Sequence, residues 1–194
     1  MGIILLAAGS SSRLGQSKQL LQVEGEPLLV RSVKIALASG ASKTIIVLGS
    51  NESVHREAIR NYPVEIVANQ EWQKGMGSSL KAGLRHLINS NPEIQAVLVM
   101  VCDQPKLEVS HLQKLILEFG RSGKSIVASF YKDSPGVPAI FSNAHFEELL
   151  RLDDEHGAKK IILQHQNNIG LVNFPEGSID LDTPEDYHNI INSH

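Results

Sequence analysis

Near its start the chain brings two cations to a loop of small residues: Leu5-Leu6-Ala7-Ala8-Gly9-Ser10-Ser11-Ser12-Arg13-Leu14-Gly15-Gln16-Ser17-Lys18. The segment opens as an apolar run suited to a buried strand, then breaks into a loop carrying Arg13 and Lys18. Gly9, Ser10, Ser11 and Ser12 put no bulky side chain over their backbone N–H groups, so an anion can approach them. A strand feeding such a loop is a phosphate-handling device; the bland alternative is a flexible turn with two solvated cations. Two known glycine loops can be tested by spacing. A P-loop has four residues between its two glycines and places its lysine directly after the second. Gly9 and Gly15 have five residues between them, and Lys18 comes later than that pattern requires. A dinucleotide fingerprint needs G-x-G-x-x-G and an acid at the end of the second strand. The second apolar run, Thr44 to Leu48, ends instead in Gly49, Ser50 and Asn51. Neither loop fits.

Carboxylates supply the other half of phosphate chemistry. Asp103 follows the fully apolar run Ala96–Cys102, at the lip of a sheet, where neither burial nor a helix cap needs it. A turn-forming aspartate before Gln104-Pro105 is the alternative. Mg²⁺ is a hard ion that takes carboxylate and phosphate oxygens and keeps several waters. Asp180 and Asp182 offer further carboxylates, and by alternation they share one face of an extended segment.

These residues need a frame to hold them. Apolar runs at Gly2–Ala8, Lys43–Leu48, Val64–Ala68 and Ala96–Cys102 read as strands, alternating with helical spacings at Pro27–Ser39, Glu52–Arg60 and Ser78–Ile88. Ser110 with Gln113 has the form of a capping box for a helix to about Phe119. Ser125–Phe130 and Val137–Phe141 are further strands, separated by turn residues Asp133 to Gly136. Ser142 is placed to cap a helix through Leu150; a helix at Ala158–His165 and a strand at Gly170–Phe174 follow. Thr183, Pro184 and Asp186 mark a last helix start by hydroxyl cap, proline and acid. The expected architecture is α/β: a single doubly wound, Rossmann-like domain over residues 1–194, mostly parallel, with helices on both faces. The irregular stretch from Gly123 to Phe174 is expected to make a small antiparallel edge or lobe. Ligands of such a sheet sit outside the carboxyl ends of its strands.

Bulk properties narrow the function. With 42% hydrophobic and 20% charged residues and a net charge of −3, the 194-residue chain has an ordinary globular composition. It has no basic arm for nucleic acid. Ile3–Ala8 is too short for a signal peptide, and no apolar run reaches membrane-span length, so the expected location is the cytoplasm. One cysteine excludes an internal disulfide, and no zinc-ligand spacing stands out. The eight histidines are scattered and read as surface or isolated core residues.

The chain resembles the MobA-like nucleotidyltransferase superfamily, which moves a nucleoside monophosphate from an NTP onto a phosphate. Five segments carry the resemblance in order: the Leu5–Lys18 loop, Gly75-Met76-Gly77-Ser78-Ser79, Asp103-Gln104-Pro105, Gly136-Val137-Pro138-Ala139-Ile140-Phe141, and Asp180 to Asp186. The wording Ala7-Ala8-Gly9 and Gly-Met-Gly-Ser-Ser resembles the molybdenum cofactor cytidylyltransferase branch, implying CTP over GTP. The resemblance implies nucleotide binding by Ala7, Ala8, Gly9, Ser10, Ser11, Ser12, Arg13, Lys18, Gly75, Met76, Gly77, Ser78 and Ser79. It makes Arg13, Lys18 and Asp103 catalytic, and Asp103 and Asp182 ligands of Mg²⁺, with Asp180 supporting. An acceptor of molybdopterin type would contact Gly136, Val137, Pro138, Gly157, Lys159 and Asp180, and a molybdoenzyme would receive the finished cofactor. Asp154 stands where the branch often has glycine. Trp72 reads as a packing anchor ahead of a base-stacking platform, and Met76, between glycines, as exposed. The rival readings are transfer to a sugar or polyol phosphate and a non-catalytic carrier of the finished cofactor.

Overall fold

The computed structural model describes residues 1–10, 14–181 and 183–192. Its centre is the apolar strand β1 (Gly2–Ala7), buried along its whole length. Parallel neighbours flank it, β4 (Lys43–Leu48) on one side and β6 (Ala96–Val101) on the other. β5 (Glu65–Ala68) extends the sheet beyond β4. Beyond β6 come β8 (Ser134–Ser142), β7 (Ile126–Tyr131) and β9 (Gly170–Asn173), giving the order β5-β4-β1-β6-β8-β7-β9. Only β8 runs against the rest, pairing antiparallel with both β6 and β7, so the expected antiparallel element lies inside the sheet. A separate two-stranded hairpin, β2 (Gln22–Val23) with β3 (Glu26–Pro27), turns through Glu24 and Gly25, both at positive φ as tight hairpins require.

Alternation along β1 sends Ile3, Leu5 and Ala7 to one face and Ile4 and Leu6 to the other. The first face is covered by α1 (Leu28–Ala38), α4 (Val109–Ser122) and Ile190 of α7 (Pro184–Asn192). Leu80, Leu84 and Leu87 of α3 (Met76–Ser90) cover the second, with α5 (Phe146–Leu150) and α6 (Lys159–Gln164). Each fully buried leucine is worth about 1.5–3 kcal/mol of transfer free energy. A short α2 (Glu52–Ala58) follows β4. Gly83 lets α3 lie close on the sheet, since a Cβ there would stand 2.8 Å from a Val47 methyl and 2.9 Å from an Ile4 methyl.

Three local expectations change. The turn before β8 is only Lys132-Asp133, both at positive φ, and the strand runs on through Pro135 and Gly136. A bulge after Ala128 absorbs the extra residues opposite it, where proline could not serve a regular ladder. Helix α4 starts at Val109 with no side-chain cap: the Ser110 hydroxyl donates to Glu108 instead of taking part in a box with Gln113. Ser142 likewise makes no cap bond, and the chain takes a 3₁₀ turn over Asn143–His145 before α5. At α7 the expected cap is present: Thr183 N–H and Oγ1 donate to Asp186, whose N–H donates back to Thr183 Oγ1. Among the described residues no helix is long and apolar enough to cross a membrane.

Candidate active site

The chain leaves β1 for β4 on one side and later returns to β6 on the other. Crossover connections diverge there, and a crevice forms outside the strand ends. A cavity of about 330 Å³ occupies that place. Leu6 to Ser10 line it from β1, and Val101, Cys102 and Asp103 from β6. Lys18, Trp72, Gln73, Gly75, Met76 and Ser79 complete most of the wall.

Lys18 and Asp103 face each other across this space, with Lys18 Nζ donating to Asp103 Oδ2 at 3.1 Å. The side chains are 14% and 28% exposed, shielded enough that either charge alone would be costly. Opposed ions in a small cavity are poised to exchange partners: an ammonium for an anion, a carboxylate for a cation. Cys102 beside them takes no part, because burial pushes its thiol up to about 12.

Gln19 holds the loop in shape, a role that escaped sequence reasoning. Its side chain is buried, and its amide donates to the carbonyls of Ala7 at 3.2 Å and Gly9 at 2.9 Å. Within one peptide unit carbonyl and N–H point in opposite directions. Drawing the Gly9 carbonyl toward Gln19 therefore turns the Ser10 N–H away from it. Ser17 Oγ donates to Gln19 Oε1 at 2.8 Å and meets His55 Nε2 at 2.6 Å. With the hydroxyl proton on Gln19, His55 donates from Nε2. Burial lowers the His55 pKa, and its Nδ1 has no partner among the described residues. The only sequence signal for this chain of contacts was a polar residue beside Lys18.

On the opposite wall the start of α3 is tied to the loop between α5 and α6. The N–H groups of Gly77 and Ser78 donate to the Asp154 carbonyl at 2.8 and 3.2 Å. A Cβ on Gly75 would stand 2.6 Å from that carbonyl and one on Gly77 2.5 Å from the His156 carbonyl, so both positions need glycine. Asn69 donates to the hydroxyls of Ser78 and Ser79, and Ser78 donates onward to backbone carbonyls. Gly77 and Ser78 therefore shape the wall without lining it, whereas Gly75, Met76 and Ser79 do line it. Met76 is 46% exposed, as expected. Trp72 packs where a Cβ on Gly49 would lie 2.6 Å from its own Cβ, and it also lines the cavity.

The structure brings Ala7, Ala8, Gly9, Ser10, Lys18, Gly75, Met76, Ser79 and Asp103 to one cavity. Ser11, Ser12, Arg13 and Asp182 lie outside the described residues. Leu181 donates its N–H to the Asp103 carbonyl at 3.2 Å, docking that segment beside the β6 loop. The expected acceptor residues are not among those lining this cavity. Gly136 lies under the Tyr131 phenol, and the Val137 carbonyl accepts bonds from Gln104 and Tyr131. The Pro138 carbonyl accepts from Ser129 at 2.6 Å. Gly157 packs on Met76, Lys159 is exposed at the start of α6, and Asp180 lines a separate hollow with Lys106 and Asn189. Their internal bonding explains the scatter. Buried Gln104, whose amide also reaches the Gly177 carbonyl, ties these segments to the β6 loop.

An α/β crevice with a glycine–serine loop, a lysine and an aspartate defines a nucleotide-handling protein. The MobA-like NTP transferase domain matches residues 3–169, and the chain belongs to that family. The purine catabolism protein PucB of Bacillus subtilis is 28% identical over 95% of this chain and 92% of its own. The molybdenum cofactor cytidylyltransferase of Escherichia coli is 24% identical over 95% and 92%. Among solved structures, Rv0371c of Mycobacterium tuberculosis superposes with a TM-score of 0.85 at 28% identity, over 99% of this chain and 97% of its own. The same protein is known in complex with manganese, with a TM-score of 0.80 at 26% identity over 100% and 98%.

Proposed function

We propose that the chain transfers CMP from CTP to the terminal phosphate of molybdenum-loaded molybdopterin, releasing pyrophosphate. The observation that carries this reading is the Lys18–Asp103 pair in a crevice walled by the Ala7–Ser10 backbone. An acceptor phosphate oxygen bonds to the α-phosphorus while the bond to the bridging oxygen of the β-phosphate breaks. That attacking group is already an anion, so no general base is needed. The obstacle is the meeting of anions, which makes catalysis a matter of positioning and charge neutralisation.

Lys18 supplies a positive charge for the pyrophosphate that leaves, assisted by N–H groups of the Gly9–Ser12 loop. Arg13 is assigned to the charge that grows around the α-phosphoryl group. Asp103 is an oxygen donor at the cavity wall, and hard oxygen suits Mg²⁺. Asp103 and Asp182 are the residues assigned to hold it. When bound, Mg²⁺ neutralises charge on phosphate oxygens. Before substrate arrives, the ion pair compensates both charges; a triphosphate would give Lys18 a new partner, and Asp103 would then be open to hold the cation. Gly75, Met76 and Ser79 form the wall assigned to the base, with Gly77 and Ser78 behind them. Gly157 reaches this wall through Met76, while Gly136, Val137 and Pro138 of β8, Lys159 of α6 and Asp180 are the residues assigned to the acceptor. The finished cofactor would pass to a molybdoenzyme in the cytoplasm.

The test is pyrophosphate release with each of the four NTPs, Mg²⁺ and molybdenum-loaded molybdopterin. Release with CTP that requires the acceptor supports the reading. Equal release with a sugar phosphate would move the acceptor class, and release with no nucleotide would favour a carrier of the finished cofactor.

A further inference from the structure

At the other end of the sheet three potential metal ligands converge from three separate elements. His145 closes the 3₁₀ turn after β8, Glu148 lies in α5, and His165 is the residue ending α6. Their ligand atoms all lie within 4.8 Å of one another. His145 Nδ1 is 3.1 Å from Glu148 Oε2, and His165 Nε2 is 3.0 and 3.1 Å from the two Glu148 oxygens. The second nitrogen of His145, Nε2, meets Ser125 Oγ at 2.9 Å, which fixes the ring's orientation.

We propose that His145, Glu148 and His165 form a binding site for one zinc-class transition-metal ion, separate from the nucleotide cavity. Two imidazoles with one carboxylate are the donor set such an ion takes, whereas Mg²⁺ prefers oxygen alone. For metal–ligand bonds of about 2.0–2.1 Å, a tetrahedron has edges of roughly 3.3 Å. The nitrogen–oxygen separations here need open only by tenths of an ångström. An orienting partner on the far nitrogen of a ligating histidine is usual, and Ser125 is in that position. His145 is largely shielded while Glu148 and His165 stay partly exposed, so a further coordination position faces solvent.

The site is remote from the chemistry yet mechanically tied to it. Ser125 and His145 sit where β7 begins and β8 has ended, at the amino end of β6, since Asn143 N–H donates to the Gln95 carbonyl at 2.8 Å. The nucleotide cavity lies at the carboxyl end of that strand. An ion here would clip α5 to α6, and the segment joining those helices is the one that holds the start of α3. Lys81 Nζ reaches the Leu152 carbonyl at 2.7 Å and Asp154 Oδ1 at 2.6 Å, while the Asp154 carbonyl takes the Gly77 and Ser78 N–H groups. The ion is thus a staple for the helical bracket behind the Met76 wall.

The test uses the full chain, stripped with a chelator and titrated with Zn²⁺ against a chromophoric competitor, with melting temperature read in parallel. The expected result is one equivalent bound and a raised Tm, with no comparable effect from Mg²⁺. His165→Ala and Glu148→Gln should each weaken Zn²⁺ binding at least tenfold and abolish the Tm rise, while Asp103→Ala binds as the wild type does. Cobalt in place of zinc should give the visible bands of a tetrahedral nitrogen–oxygen site. Absence of a stoichiometric site in the wild type would overturn the proposal. So would binding unchanged in His165→Ala and Glu148→Gln, which would leave a hydrogen-bonded trio only.

Discussion

The two ends of strand β6 carry polar clusters of opposite chemistry. At the carboxyl end stand Asp103, Lys18 and a loop of small residues, all hard oxygen and nitrogen groups around a cavity. At the amino end stand two imidazoles sharing one carboxylate. The strand between is buried throughout, so neither cluster owes its place to the core. The difference is one of connection. The carboxyl ends of parallel strands gather loops at the point where crossovers diverge, and those loops arrive with free backbone groups. The amino end is closed by an antiparallel strand that feeds through a 3₁₀ turn into a short helix, so side chains meet one another there.

The sharpest way to break this comparison is to remove charge at the carboxyl end. Lys18→Ala and Asp103→Ala should each lower kcat by a hundredfold or more, by analogy with loss of a single oxyanion donor. Each variant also leaves its partner's charge uncompensated in a shielded site, so the melting temperature should fall, and kcat is read below that temperature on folded protein. A variant retaining near-full turnover would remove that residue from the site.

Gln19→Ala asks whether the loop's shape matters apart from its charges. It leaves two backbone carbonyls without their buried partner, at about 1–3 kcal/mol for each group that water cannot reach. The expected outcome is lower stability by denaturant titration together with a tenfold or larger rise in KM for nucleotide. Lower stability with unchanged KM would make Gln19 structural only.

One acid-sensitive group stands outside both clusters. His111 lies between them, buried, stacked on Phe174 with ring centroids 4.2 Å apart and bonded to Ser129. Burial, with the nearby Lys114 charge, pushes it down from 6.5 to about 4. The unfolded chain therefore binds a proton that the folded chain refuses, and stability falls as pH drops from about 6.5 towards 4. Replacement by glutamine should flatten that part of the denaturation profile. The smallest effect is expected at Arg151→Ala, which breaks an exposed ion pair with Glu147 near the amino-end cluster and should shift stability by less than about 0.5 kcal/mol.

Most of the fold was legible because buried parallel strands read as unbroken apolar runs, and β1, β4 and β6 do so. The carboxyl-end site was legible for a related reason: strand ends are sequence landmarks, and Asp103 and the Gly9 loop sit directly after them. What escaped was fixed by contacts between distant residues. Gln19 looks like any polar loop residue until the Ala7 and Gly9 carbonyls fold over it. His145 and His165 are twenty positions apart, and only the α5–α6 hairpin brings them to one carboxylate, so the histidines read as scattered. The β8 turn was misplaced because Pro135 and Gly136 are turn-like residues that a bulge accommodates inside a strand. The acceptor residues scattered because Val137 and Pro138 spend their carbonyls on Gln104, Tyr131 and Ser129.

The most direct test of the central claim follows the α-phosphate of labelled CTP in the wild type and in Asp103→Asn, with Mg²⁺ and the molybdenum-loaded acceptor present. The expected result is label transferred to the acceptor with one pyrophosphate released per transfer, and loss of both in the variant while its fold is intact. Label transfer at the wild-type rate in Asp103→Asn, or none in the wild type from any nucleotide, would contradict it.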